Sequence, residues 1–238
     1  MEYFTLEQSE YSRVPSPSAC SESFAFVDVN EDFVEEEFGK GSKVMLSTAP
    51  PVKSPTTNKK NHLVWFDLEM TGLDPAVDHI MEAACLVTDA DLNVIGEGVD
   101  LIIHQPDEIL SRMNDWCKDH HGQSGLTEAC RKSTVTLNQA EDRLLSYLEK
   151  NTIKGASPLA GNTVYMDRLF IAKYLPKVDE HMHYRIVDVS SVKELCRRWA
   201  PKTYDGAPKK KLAHRALDDI KDSIKELKYY KLNLFKQE

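Results

Sequence analysis

Three strand-like runs stand close together in the middle of this chain, and they restrict its fold more than any other feature. HLVWFDLEM at 62–70 is short and apolar, and IMEAACLVT at 80–88 and NVIGEGVDLII at 93–103 follow after brief connections. A run like the first reads as a largely buried strand. The turn-forming DADLN joins the second and third as neighbours, so the spacing predicts an antiparallel meander. Beyond it the pattern becomes helical: TLNQAEDRLLSYLE at 136–149 places Leu137, Leu144, Leu145 and Leu148 on one face. SPLAGN reads as a fourth strand, VYMDRLFIAKYL at 164–175 as a helix stopped before Pro176, and YRIVDV as a fifth strand. SSVKELCRRWA follows as a helix capped by Ser190 or Ser191, and LAHRALDDIKDSIKELKYYKLN is a last, long helix. The order β-β-β-α-β-α-β-α-α predicts an α/β fold with a mixed five-stranded sheet flanked by helices.

Residues 1–60 have a different texture, with SPSACSES, the acidic EDFVEEEF and STAPPVKSPTTNKK. This composition buries too little apolar surface to offset the entropy of ordering. We therefore expect a disordered extension over 1–60 and a folded domain over 61–238. The extension holds six Lys and Arg against ten Asp and Glu, the opposite of a standard mitochondrial presequence, and MEYFTLEQSEYSR lacks the apolar core of a secretory signal. Phe24, Phe26, Phe33 and Phe38 among its acids also suit a partner-binding segment, although a solvated tail is the simpler reading.

The net charge of −8 is unsuited to gripping long nucleic acids, which are usually held by basic surfaces. No run approaches the ~20 apolar residues that cross a bilayer. Five cysteines without a CxxC pair indicate neither a disulfide framework nor a zinc site. An intracellular protein is expected, in the cytoplasm or mitochondrion, with the nucleus also open.

Three short signals carry chemistry. Asp67 and Glu69 end the first strand, and side chains two apart share one face of a strand, ~6.5 to 7 Å apart. Paired carboxylates there suit a hard divalent cation. His214, in HRALDD, precedes Asp219 by five residues at the start of the last helix; an imidazole accepts a proton near neutrality and the carboxylate one turn on reaches a metal. Asp167 stands on the helix that follows SPLAGN. Each has an ordinary alternative: a surface strand pair, a helix N-terminus favouring acids, a solvated helix position.

Taken together, Asp67, Glu69, Asp167, His214 and Asp219 resemble, in order, the five-residue pattern of the DEDDh exonucleases of the ribonuclease H-like superfamily. WFDLEMTGLD, AGNTVYMDRLF, HYRIVDVSSVKEL and HRALDDIKDSIKEL are similar to the blocks of the oligoribonuclease family, from about His62 to Phe235. The resemblance implies a ribonuclease H-like fold and a 3′-to-5′ exoribonuclease that degrades short RNA, especially dinucleotides, to 5′-mononucleotides. It implies two Mg²⁺ or Mn²⁺ ions held by Asp67, Glu69, Asp167 and Asp219, with His214 taking the proton from the attacking water. Four acids so close repel one another unless cations offset them.

The same resemblance implies that Leu73 wedges between two bases and that Trp116 and Tyr184 flank them. It implies that Thr163, Arg185 and Ser190 close over the 5′ phosphate, and that Tyr184 and Arg185 serve the neighbouring site of a homodimer. Thr163 departs from the serine usual there. Without the family blocks, Leu73 is a turn residue packing inward, Trp116 a core aromatic, and Tyr184 and Arg185 are ordinary strand-edge positions. The run Lys209-Lys210-Lys211 reads as a solvated loop. Two other classes fit less well: a related nuclease trimming longer 3′ ends, and a silent binding protein that has kept the fold.

Overall fold

The computed structural model describes residues 58–209 and 215–235. The tail expected over 1–60 lies almost entirely outside them, as do His214, Lys210 and Lys211. A single 3-10 turn, Lys59–Asn61, leads into β1 (Leu63–Met70), β2 (Ile80–Thr88) and β3 (Val94–Ile102). The short helices α1 (Asp107–Leu110), α2 (Asp115–Gln123) and α3 (Leu126–Lys132) come next, then α4 (Leu137–Asn151), β4 (Pro158–Gly161), α5 (Tyr165–Tyr174) and α6 (Pro176–His181). The described chain ends with β5 (His183–Asp188), α7 (Val189–Trp199), α8 (Pro201–Asp205) and α9 (Ala216–Leu234).

The sheet order is β3-β2-β1-β4-β5. The first three strands form the expected antiparallel meander, and β4 and β5 run parallel to β1. That makes β1 the central strand and β5 an edge. Alternation along β1 sends Val64, Phe66 and Leu68 into a core with Leu144, Leu148, Phe170 and Ile171 from α4 and α5. Trp65 points the other way, into a second core with Ile220, Ile224 and Tyr230 of α9 and Cys196 of α7. Asp67 and Glu69 follow Trp65 in the two-residue repeat, so the pattern that buries β1 aims both carboxylates at the α9 side. Pairing slips between Glu69 and Met70, a local irregularity of the sort that re-aims side chains beside functional sites.

Three sequence-based expectations need correction or addition. The helix after β5 is capped by Asp188 rather than by Ser190 or Ser191, since the Asp188 side chain accepts from the Ser190 N–H. Helices α1 to α3 were not anticipated; they are short, and a small cluster of Met81, Leu110, Met113, Cys117, Leu126 and Cys130 holds them. The brief helices α6 and α8 were likewise missed, each beginning at a proline that suits the first helical turn.

Candidate active site

The two carboxylates on β1 meet a third from α9. Oxygens of Asp67, Glu69 and Asp219 all lie within 4.8 Å of one another, a grouping that could hold a metal ion. Asp219 reaches them because α9 packs Ala216, Ile220 and Ile224 into the Trp65 core, which leaves Asp219 on the flank facing the end of β1. Its neighbour Asp218 is exposed and pairs with Lys221 at 2.9 Å, so the ordinary helix-charge reading fits Asp218 and not Asp219.

Asp167 arrives from the opposite face. It sits in the first turn of α5, is buried, and its Oδ1 accepts the backbone N–H of Leu68 at 2.9 Å. The carboxylate is thereby fixed to the strand position between Asp67 and Glu69. Burial and the nearby Asp67 push its carboxyl well above the usual range, against the lowering effect of the Leu68 N–H. Glu69 is pushed up to about 8, first by burial and then by Asp67, Glu82, Asp219 and Asp167. This is the repulsion expected of clustered acids without a compensating charge. An all-oxygen set of carboxylates suits hard ions such as Mg²⁺ or Mn²⁺.

Two neighbours of this cluster escaped sequence reasoning. Glu82 lies opposite Glu69 in the β1–β2 register and is fully buried. Burial and Asp100 raise its carboxyl to about 7, while Arg215 opposes the rise. The Arg215 guanidinium stands 3.7 Å from Glu82 and 3.9 Å from Asp100, tying the start of α9 to β2 and β3. His121 of α2 is buried, with Nε2 3.0 Å from the Met70 carbonyl and Nδ1 3.9 Å from Glu69. Because a carbonyl only accepts, Nε2 carries a proton in this arrangement. Glu82 was hidden inside an apolar strand and His121 in a helix with little apolar periodicity.

The remaining expected residues divide into two groups. Thr163 and Ser190 come together from different elements, their hydroxyl oxygens 3.1 Å apart. Thr163 has φ 53, a left-handed backbone that crowds a β-branched side chain and costs about 1–3 kcal/mol. Gly161 just before it is required by close approach: a Cβ there would stand 2.9 Å from the Phe66 carbonyl, which keeps the loop after β4 against β1. Leu73, in the turn after β1, is 48% exposed and Trp116 of α2 is 57% exposed, so neither is the core residue of the ordinary reading. Trp116 stacks on His120, ring centres 3.9 Å apart.

Tyr184 and Arg185 lie apart from this group. Pairing between β4 and β5 jumps from Pro158 with His183 to Leu159 with Ile186, so these two residues form a bulge on the edge strand. Tyr184 is 74% exposed, and the Arg185 guanidinium lies 5.4 Å from its ring centre. Val64 is level with Leu159 and Ile186, so the bulge sits near the start of β1, whereas the carboxylates sit at its end. Strand rise and spacing put the two on the order of 15 Å apart.

Residues 64–227 match the family model RNase_T, described as Exonuclease. The human protein named "Oligoribonuclease, mitochondrial" is 59% identical over 175 residues, covering 74% of this chain and 74% of that protein. The "Oligoribonuclease" of Pseudoalteromonas atlantica is 52% identical over 174 residues, covering 73% of this chain and 96% of that one. Among solved structures, E. coli exonuclease I in complex with a 5cy-dA13 oligonucleotide superposes with a TM-score of 0.56 at 19% identity, over 72% of this chain. The exonuclease I of Methylocaldum szegediense gives 0.57 at 19% identity, over 73% of this chain. This chain spans 40% and 41% of those two exonuclease I chains, respectively. At such low identity they establish the fold, which is ribonuclease H-like.

Proposed function

The chain belongs to the oligoribonuclease family of 3′-to-5′ exoribonucleases that degrade short RNA, and from that premise we propose how its residues divide the work. Asp67, Glu69 and Asp219 would hold two divalent cations, Mg²⁺ or Mn²⁺, with Asp167 contributing directly or through water. The observation that carries this reading is the convergence of the three carboxylates from β1 and α9 within 4.8 Å. When bound, paired cations supply charge stabilisation for the attacking and leaving oxygens of an in-line displacement.

The protein's own groups do the rest. Leu68 N–H holds Asp167 in one orientation, so the acid set is pre-arranged on the central strand. His214 takes the proton of the attacking water, a role suited to an imidazole near neutral pH. The products are a 5′-mononucleotide and a chain shortened by one. Leu73 and Trp116, both exposed, offer apolar faces to the last two bases, and stacking of this kind tolerates any base. The Thr163 and Ser190 hydroxyls meet the 5′ phosphate, which limits the substrate to lengths that fit between this cap and the acids.

Arg185 and Tyr184 act at the site of a second copy. The distance between the bulge and this chain's own carboxylates supports that reading, and so does the surface around it. Among the described residues β5 is an edge strand with Tyr184 and Ile186 exposed, and α7 exposes Leu195 and Trp199. An open edge strand with apolar neighbours is a surface that pairs readily. Sedimentation as a dimer is expected; a monomer that still degrades dinucleotides fully would contradict the shared site.

None of the described helices is long and apolar enough to cross a membrane. An intracellular setting fits the relatives, of which the human protein is named mitochondrial.

A length series of 5′-labelled RNAs tests the substrate. Catalytic efficiency with Mg²⁺ should rise as the RNA shortens, with the dinucleotide exceeding a heptanucleotide by about tenfold or more, or ~1.4 kcal/mol. Efficiency that is flat or rises with length would assign the chain to the trimming of longer 3′ ends.

A further inference from the structure

We propose that Asp188 is a positioning residue that sets the Thr163 and Ser190 hydroxyls as one phosphate-binding pair. The proposal rests on the reading above that these hydroxyls meet the 5′ phosphate. Asp188 ends β5 and caps α7. A single oxygen, Oδ1, accepts two backbone N–H groups: Ser190 at 2.8 Å and Thr163 at 3.0 Å. The first bond is an ordinary helix cap. The second crosses to the loop after β4 and fastens a residue whose backbone is left-handed, with φ 53. For a β-branched residue that conformation persists only where surrounding contacts over-determine it, and the Asp188 carboxylate is one such contact. Held this way, Thr163 Oγ1 stands 3.1 Å from Ser190 Oγ.

The pair is also supported from behind. Asn162 Nδ2 donates to Ser190 Oγ at 3.4 Å and to Glu226 Oε2 at 3.1 Å. Glu226 is buried on α9, accepts the Tyr230 hydroxyl at 3.1 Å and has the Lys193 ammonium at 3.5 Å. Proton accounting agrees with that ligand. Two hydroxyls carry two protons, and the bond between them uses one. The other is left for an outside acceptor, on a side where Thr163 is exposed. The adjoining N-terminus of α7, an 11-residue helix, favours an anion there. A terminal phosphate oxygen satisfies both conditions; a 5′ hydroxyl, itself able to donate, gains much less.

The test compares steady-state hydrolysis of 5′-phosphorylated and 5′-hydroxyl dinucleotides by the full chain with Mg²⁺. Asp188→Ala should raise KM for the phosphorylated substrate about tenfold, the loss of a charge-assisted positioning contact, with kcat within about twofold and the hydroxyl substrate unaffected. Asp188→Ser keeps a helix cap but is too short to reach the Thr163 amide, and should show the same KM change in a protein that folds normally. Asp188→Asn retains the Oδ1 acceptor and should restore KM to within about threefold of wild type. Equal changes for both substrates, or an unchanged KM for the phosphorylated one in Asp188→Ala and Asp188→Ser, would overturn the positioning role. A wild-type protein that cleaves both substrates with equal KM would overturn it as well. Wild-type protein that fails to cleave either dinucleotide would instead overturn the functional reading beneath it.

Discussion

Asp67→Ala and Asp219→Ala should each lower kcat on a dinucleotide by at least about a thousandfold, equivalent to ~4 kcal/mol of lost transition-state stabilisation. The two residues come from different ends of the sequence, β1 and α9, and share one group of oxygens within 4.8 Å. On the proposed two-cation reading, removing either would leave too few ligands to hold the pair. Both are only partly buried, so no core cavity opens. Each deletion also removes a negative charge that raises the Glu69 carboxyl, and the metal-free variants should stay folded. Loss of turnover with an unchanged circular dichroism spectrum and a cooperative melt separates a catalytic role from misfolding. Near-normal turnover in either variant would remove the mechanism.

Metal-free protein should lose stability as pH rises from about 5 to 8, and Glu69→Gln should remove much of that loss. In the folded, metal-free protein the Glu69 carboxyl is raised to about 8 from the ordinary 4.5, and Glu82 to about 7. Between the ordinary and raised values the folded state holds more protons than the unfolded state, so stability falls with increasing pH. Glutamine carries no titrating proton and keeps the shape of the side chain. The Tm advantage of Glu69→Gln over wild type should therefore grow across this window, to several degrees at pH 8. Added Mg²⁺ should reverse the order at pH 8, because a carboxylate ligates the cation more strongly than an amide. Differential scanning fluorimetry with and without excess Mg²⁺ checks both signs. A constant Tm difference across the pH range would show that Glu69 is not the strained acid.

Much of this site is legible in the amino-acid sequence. The two-residue repeat of β1 put Asp67 and Glu69 on one face, and the apolar run before them placed that face inside the fold. The DEDDh pattern then selected Asp167 and Asp219 from helix positions that composition alone would have left as solvated acids. What the sequence did not reveal depends on contacts between distant segments. Asp188 works through a single oxygen on two backbone amides, one of them 25 residues away, which no periodicity records. The Tyr184–Arg185 bulge is a mismatch of strand lengths, visible only once β4 and β5 are paired. Helices α1 to α3 lack a continuous apolar face and are held by their shared cluster, so the region between β3 and α4 offered little to read. His121 and Glu82 were invisible for a related reason, since each matters only through the strand it lies against.

Mn²⁺ binding to metal-stripped protein at pH 8, followed by electron paramagnetic resonance with the full chain, bears most directly on the acidic cluster as a cation site. Wild type should bind two ions per chain, and Asp67→Ala should lose at least one. Binding absent from wild type, or identical in the two proteins, would contradict the assignment.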